Sequence, residues 1–293
     1  MHGRSLHVGG GGAVRRVAAL AVLLVAGAPL ALPWPRAWPV DRGHAPGSAV
    51  QARPLAAAAA GAEAALAADL VARVDAARVL HDVALLSGET TLCAAQRCAD
   101  VVNRLTGSDD LALAMAYVAE QAAAAGFRVA RHEWSSGRWA DHNVLARRTG
   151  VLSPTELVYV VAHVDGVAGI PSCPGERCPA ADDNASGAAA VLELARVLAD
   201  VPLARSLVLF FSTGEEQGML GVKAYVNQRT AEEVAAIHAL VNLDMVGYDG
   251  NGDRVMELYH EDHAPSLALA RDMRDAVERA GLPLVPRLNP GCG

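Results

Sequence analysis

The chain has 293 residues, 52% of them hydrophobic and 19% charged, with a net charge of -7. That balance excludes a disordered chain, and an acidic sequence without any basic tract speaks against nucleic acid as a partner. Aromatic residues make up only 4%, so Ala, Val and Leu must fill most of the core.

In chain order, Arg15 and Arg16 precede an apolar stretch from Val17 to Leu32 that is broken by Pro33 and Pro35. A charged segment followed by a short apolar one reads 1–32 as a secretory signal, or as a membrane anchor if it stays uncleaved. Residues 33–62, rich in Pro, Ala and Gly, read as a linker or pro-segment. Residues 63–293 then form one domain, expected outside the cytoplasm, secreted or periplasmic. Cys93/Cys98 and Cys173/Cys178 are two local pairs. In an exported chain they suggest two small-loop disulfides; a zinc held by all four thiolates is the rival reading.

Glu63–Leu86 has helix-forming composition, with Leu70, Val74, Ala77 and Leu80 near helical spacing. Asp109 and Asp110 start a second helix that Gly126 stops. Phe127–Trp134 and Asn143–Arg147 read as strands, and so do the nearly continuous apolar runs Leu157–Ala162, Leu207–Phe211 and Ala239–Leu243. Asn184 and Ser186 are cap types ahead of a helix over Gly187–Leu198. Further helices are expected at Gly221–Val226 and at Ser266–Ala280, the latter ended by Gly281 and Pro283. Strands alternating with helices imply an α/β sandwich around a mainly parallel sheet.

Three of those apolar runs end in potential metal ligands: His163 and Asp165, Glu215 and Glu216, and Asp244. Sites in such sheets lie beyond the carboxyl ends of the strands, so these groups converge at one edge. His163 and Asp165, two residues apart on extended chain, point to the same side, where Asp165 can brace a ligating ring. Taken alone, the pair also fits an ordinary histidine with a solvated aspartate. Asp182 and Asp183 precede a helix start, where capping accounts for one acid more readily than for two. Glu215 and Glu216 diverge on extended backbone, so one can ligate while its neighbour faces substrate; the bland reading is a solvent-facing pair. Asp244 after four apolar residues needs a partner. Together the acids suit two divalent ions, because around one ion they would repel each other.

The series His163-Val-Asp165, Asp182-Asp183-Asn-Ala-Ser-Gly187, Gly-Glu215-Glu216-Gln-Gly-Met-Leu-Gly221 and Asn242-Leu-Asp244-Met-Val-Gly resembles the co-catalytic two-zinc aminopeptidase family, which includes bacterial leucyl aminopeptidases and glutamate-carboxypeptidase-like metallopeptidases. The resemblance implies a three-layer α/β sandwich and an exopeptidase that removes residues from peptide N-termini with two Zn²⁺. It implies that His163 and Asp244 bind one zinc, Glu216 the other, and that Asp183 bridges both. Glu215 would be the general base, Asp165 the partner of His163, and Met245 a lining residue for the substrate's first side chain. A single-zinc glutaminyl cyclase and an inactive receptor or scaffold on the same fold are the alternatives. The family's last zinc-binding histidine is expected beyond Gly293, which reads the domain as incomplete at its C-terminus. His260 and His263, upstream of the last helix, are poor substitutes for it. The sequence leaves the oligomeric state open.

Overall fold

The computed structural model describes residues 65–171 and 173–291. The expected signal or anchor (1–32), the linker (33–62) and Cys292 lie outside the described residues, within which no helix is long and apolar enough to cross a membrane.

The first expected helix is in fact two. Residues 65–72 are helical, and α1 (Ala76–Leu86) restarts after Asp75, whose carboxylate accepts the backbone N–H groups of Ala77 and Arg78. An aspartate that bonds its own downstream backbone ends one helix by capping the next. A short hairpin follows, β1 (Leu92–Ala94) against β2 (Arg97–Ala99), with Cys93 opposite Cys98. Those two sulfurs are joined, and so are Cys173 and Cys178; the four-thiolate zinc reading falls away. Ser108 caps α2 (Asp109–Ala124) through its hydroxyl, which accepts from the Leu111 N–H.

The central sheet has the order β3-β4-β6-β5-β7, built from β3 (Arg128–Ser136), β4 (Trp139–Arg148), β5 (Ser153–His163), β6 (Arg205–Ser212) and β7 (Ile237–Asn242). Strands β6, β5 and β7 are parallel, as the long apolar runs imply. The hairpin β3–β4 joins the edge of β6 antiparallel, which makes the whole sheet mixed. Tight hairpins can only be antiparallel.

Both faces are covered. Val160, Ala162, Leu207, Leu209 and Phe211 turn into the main core, which α2 and α3 (Gly187–Val197) close with Leu111, Met115, Val191 and Leu194. On the other face Tyr159, Val161, Val208 and Phe210 pack with Tyr225 of α4 (Leu220–Asn227). Alternate residues of β5 and β6 thus serve different layers, and both are apolar. A short α5 (Ala231–Ala235), capped by Thr230 and Glu233, leads into β7.

After β7 come β8 (Val255–His260), α6 (Ala264–Arg279) and β9 (Val285–Pro290). Sequence periodicity finds α6 but neither strand. Strands β8 and β9 pair in parallel with each other, and Met256, Leu258, Met273 and Val277 extend the main core. Strand β8 is buried only at alternate residues, and Pro286 interrupts β9, so neither presents an apolar run.

Candidate metal centre

His163 is the last residue of β5, and Asp244 lies two residues past β7, the adjacent parallel strand. Asp183 comes from the wide helical turn Ala181–Ser186, which enters α3 and contains a cis peptide bond between Asp183 and Asn184. His163 Nε2 lies 3.1 Å from Asp183 Oδ1 and 3.4 Å from Asp244 Oδ1. The ligand atoms of these three residues all lie within 4.8 Å of one another, the one such group among the described residues. The ring is buried, whereas both carboxylates are close to half exposed, so the cluster opens to solvent.

The rest of the Asp182–Gly187 motif fastens one ligand loop to the next. Asp182 Oδ1 accepts from the Gly247 N–H at 2.8 Å, and Ser186 Oγ accepts from the Val246 N–H at 3.0 Å. Asn184 donates from Nδ2 to the Leu243 carbonyl and accepts from the Gly187 N–H, which it caps. Ser186, the other cap type, instead donates to the Asp182 carbonyl. A Cβ on Gly187 would stand 2.3 Å from the Leu243 carbonyl oxygen. Glycine is therefore required for α3 to approach the Asp244 loop this closely.

Asp165 is fully buried, but its carboxylate does more than brace the histidine. Asp165 Oδ1 accepts from the Glu215 N–H at 3.2 Å and Oδ2 from the Glu216 N–H at 3.1 Å. Thr106 donates to Oδ2 as well. His163 Nδ1 meets the Asp165 backbone carbonyl at 3.1 Å, nearer than the carboxylate at 3.7 Å. The expected His163–Asp165 pairing thus runs mainly through the main chain, and the side chain aims the two glutamates.

The electrostatics are those of a centre built for a cation. Burial works against a charged His163 ring, yet its hydrogen bonds with Asp165, Asp183 and Asp244 push its pKa far above the usual imidazole value. The His163 contact holds Asp183 below the usual carboxylate range. Burial, with the Asp183 charge second, pushes Glu216 up to about 7. Burial also raises Glu215, with Asp165 and Asp244 adding to it and His163 opposing. Glu216 Oε1 is buried without a hydrogen-bond partner. An imidazole, several carboxylates and an orphaned carboxylate oxygen together match the donor preferences of Zn²⁺.

Met245 follows Asp244 in left-handed backbone (φ 49) with its side chain exposed. His260 is buried in β8 with Nδ1 against the Glu261 carbonyl, and His263 caps α6; neither joins the cluster. Sequence reading misses the strap beneath the site, residues 102–106. There Thr106 bonds Asp165 and Gln217, while Arg104 is wholly buried. An arginine between Val102-Asn103 and Leu105 belongs to no motif, and only the fold shows that it is internal.

The family model described as peptidase family M28 matches residues 143–290. Among curated relatives, aminopeptidase YwaD of Bacillus subtilis is 38% identical over 104 residues, 36% of this chain and 21% of that protein. Leupeptin-inactivating enzyme 1 of Streptomyces exfoliatus is 32% identical over 155 residues, 51% of this chain and 33% of that one. The chain thus spans between a fifth and a third of their lengths. Among solved structures, the zinc aminopeptidase BSAP from Bacillus subtilis superposes with a TM-score of 0.57 at 15% identity, covering 72% of this chain and 78% of its own. At these identities the structural likeness speaks for the fold.

Proposed function

Because the chain belongs to peptidase family M28, we propose that it is a zinc-dependent exopeptidase that removes residues from the N-termini of peptides. The observation that carries this reading is the convergence of His163, Asp183 and Asp244 at the carboxyl ends of parallel strands. His163 and Asp244 would hold one zinc, Asp183 would be shared, and the unpartnered Glu216 would take part in holding a second. Zinc supplies Lewis-acid polarisation of a scissile carbonyl and lowers the pKa of an attacking water.

The chain's own residues do the rest. Glu215, aimed by Asp165 through its backbone N–H, takes a proton from the attacking water and returns it to the leaving amine. In the metal-free centre burial raises its pKa above that of an ordinary carboxylate. Met245, exposed beside Asp244, would line the pocket for the first side chain. Work outside the cytoplasm is part of the same reading, supported by the two disulfides.

The test is zinc content together with a substrate panel: aminoacyl p-nitroanilides, N-blocked peptides and peptides with N-terminal glutamine. Bound zinc with turnover of free N-termini alone is expected. Preference for blocked peptides overturns the aminopeptidase reading, and cyclisation of the glutamine peptide moves the chain to the cyclase chemistry.

A further inference from the structure

We infer that Arg104 is the positioning residue of the metal centre, whose guanidinium fork sets the spacing between the His163 loop and the Asp183 loop and thereby the affinity for zinc. The inference rests on His163 and Asp183 being ligands, as proposed above.

Arg104 is wholly buried and, among the described residues, is the largest side chain that is so. Its four hydrogen bonds all go to main-chain carbonyls. Nε donates to Val164 at 2.6 Å; one terminal nitrogen donates to Leu86 at 2.5 Å and Pro179 at 3.0 Å; the other donates to Ala180 at 2.8 Å. Val164 lies between His163 and Asp165. Pro179 and Ala180 lead directly into the turn that carries Asp183, and Ala180 sits in left-handed backbone (φ 47). The Arg104 carbonyl in turn accepts from the Gly166 N–H at 2.9 Å. One residue therefore grips the His163 loop on both sides of Asp165 and ties it to the start of the Asp183 turn.

Its neighbours extend the strap. The Val102 carbonyl accepts from the Cys178 N–H, and Asn103 Nδ2 donates to the Glu176 carbonyl. Both contacts hold the disulfide loop that precedes Pro179.

The side-chain chemistry is specific. Guanidinium offers five donors in a planar fork, and four of them are used here. Lysine offers three donors from a single point and cannot span the same carbonyls. Burial lowers the pKa of Arg104 to about 10, with Asp165, Asp183 and Glu216 pulling the other way. It thus keeps its charge at neutral pH, and Asp165, Asp183 and Glu216 face a permanent internal cation. A side chain needed only to fill space would not require four directed donors, nor a charge taken fully out of water.

The experiment measures zinc affinity of the 293-residue chain by competition with a chromophoric chelator, alongside the melting temperature in EDTA. Arg104→Lys, Arg104→Met and a His163→Ala control are compared. Loss of groups that orient ligands typically weakens metal binding about 10–100-fold. Both Arg104 variants are expected to lose at least about 10-fold, with Arg104→Lys keeping the smaller loss. Zinc affinity unchanged in Arg104→Lys while its melting temperature falls makes Arg104 a general core residue and overturns the inference. So does failure of both variants to fold in saturating zinc. If His163→Ala leaves zinc affinity untouched, the metal-centre reading itself is wrong. If His163→Ala weakens zinc and Arg104→Lys does not, only the role given to Arg104 fails.

Discussion

Glu215 and Glu216 are neighbours with different surroundings, and the difference assigns their work. Both backbone N–H groups are pinned by the Asp165 carboxylate, in a turn rather than on the extended backbone the sequence suggests. Glu216 has an oxygen buried without a partner, a state that a carboxylate tolerates when a cation completes it. Glu215 has no such orphan and is raised mainly by burial. Glu215→Gln is therefore expected to lower kcat by about 10²-fold or more, the usual loss for a general base, with zinc content unchanged. Glu216→Gln should lose zinc first. Metal analysis and kcat measured on both variants check the assignment, and zinc loss confined to Glu215→Gln reverses it.

At the scale of elements, the site is a set of loops stitched to each other rather than four separate strand ends. Asp182, Asn184 and Ser186 make three hydrogen bonds from the turn before α3 to residues 243–247. Gly187 lets α3 close on the Leu243 carbonyl. Gly187→Ala places a methyl group against backbone that cannot yield, and overpacking of this kind costs about 1–3 kcal/mol. A lower melting temperature and weaker zinc retention are expected together, because the strain falls between Asp183 and Asp244. Circular dichroism melts with and without zinc test this. Unchanged zinc retention in a destabilised variant would mean that the α3–Leu243 contact does not set the ligand spacing.

For the whole molecule, the metal-free centre makes stability depend on pH. The folded chain holds the Glu216 carboxyl up to about 7, above its ordinary 4.5, and keeps the His163 ring charged well past its ordinary 6.5. Between ordinary and raised values the folded state binds more protons than the unfolded one, so stability falls as pH rises through these windows. Carboxylates held low, such as Asp183 and Asp141, act in the opposite sense but only in acid below those windows; His238, lowered by burial, opposes the two raised groups only below its ordinary 6.5. Zinc needs the same groups deprotonated. The melting temperature in EDTA should therefore fall from about pH 5 to about pH 8, and rise over that range in excess zinc. A metal-free melting temperature that climbs with pH would show that His163 is neutral in the empty centre.

By itself the sequence determined the class of fold, the parallel strands β5, β6 and β7, and the identity of the ligand candidates. It could do so because buried parallel strands are continuous apolar runs, and a charged residue at the end of such a run is conspicuous. Four local motifs kept in order carried the rest of the resemblance. Only the tertiary structure decided what Asp165 bonds, why Gly187 is glycine, and that Arg104 lies beneath the centre. It also placed the antiparallel β3–β4 hairpin on β6 and paired β8 with β9. Each of these depends on contacts between residues distant in the chain, such as Arg104 with Ala180 or Asn184 with Leu243. Periodicity reports how a residue relates to its own segment, whereas the partner of a hydrogen-bonding group is chosen by which segments the fold brings within about 3 Å.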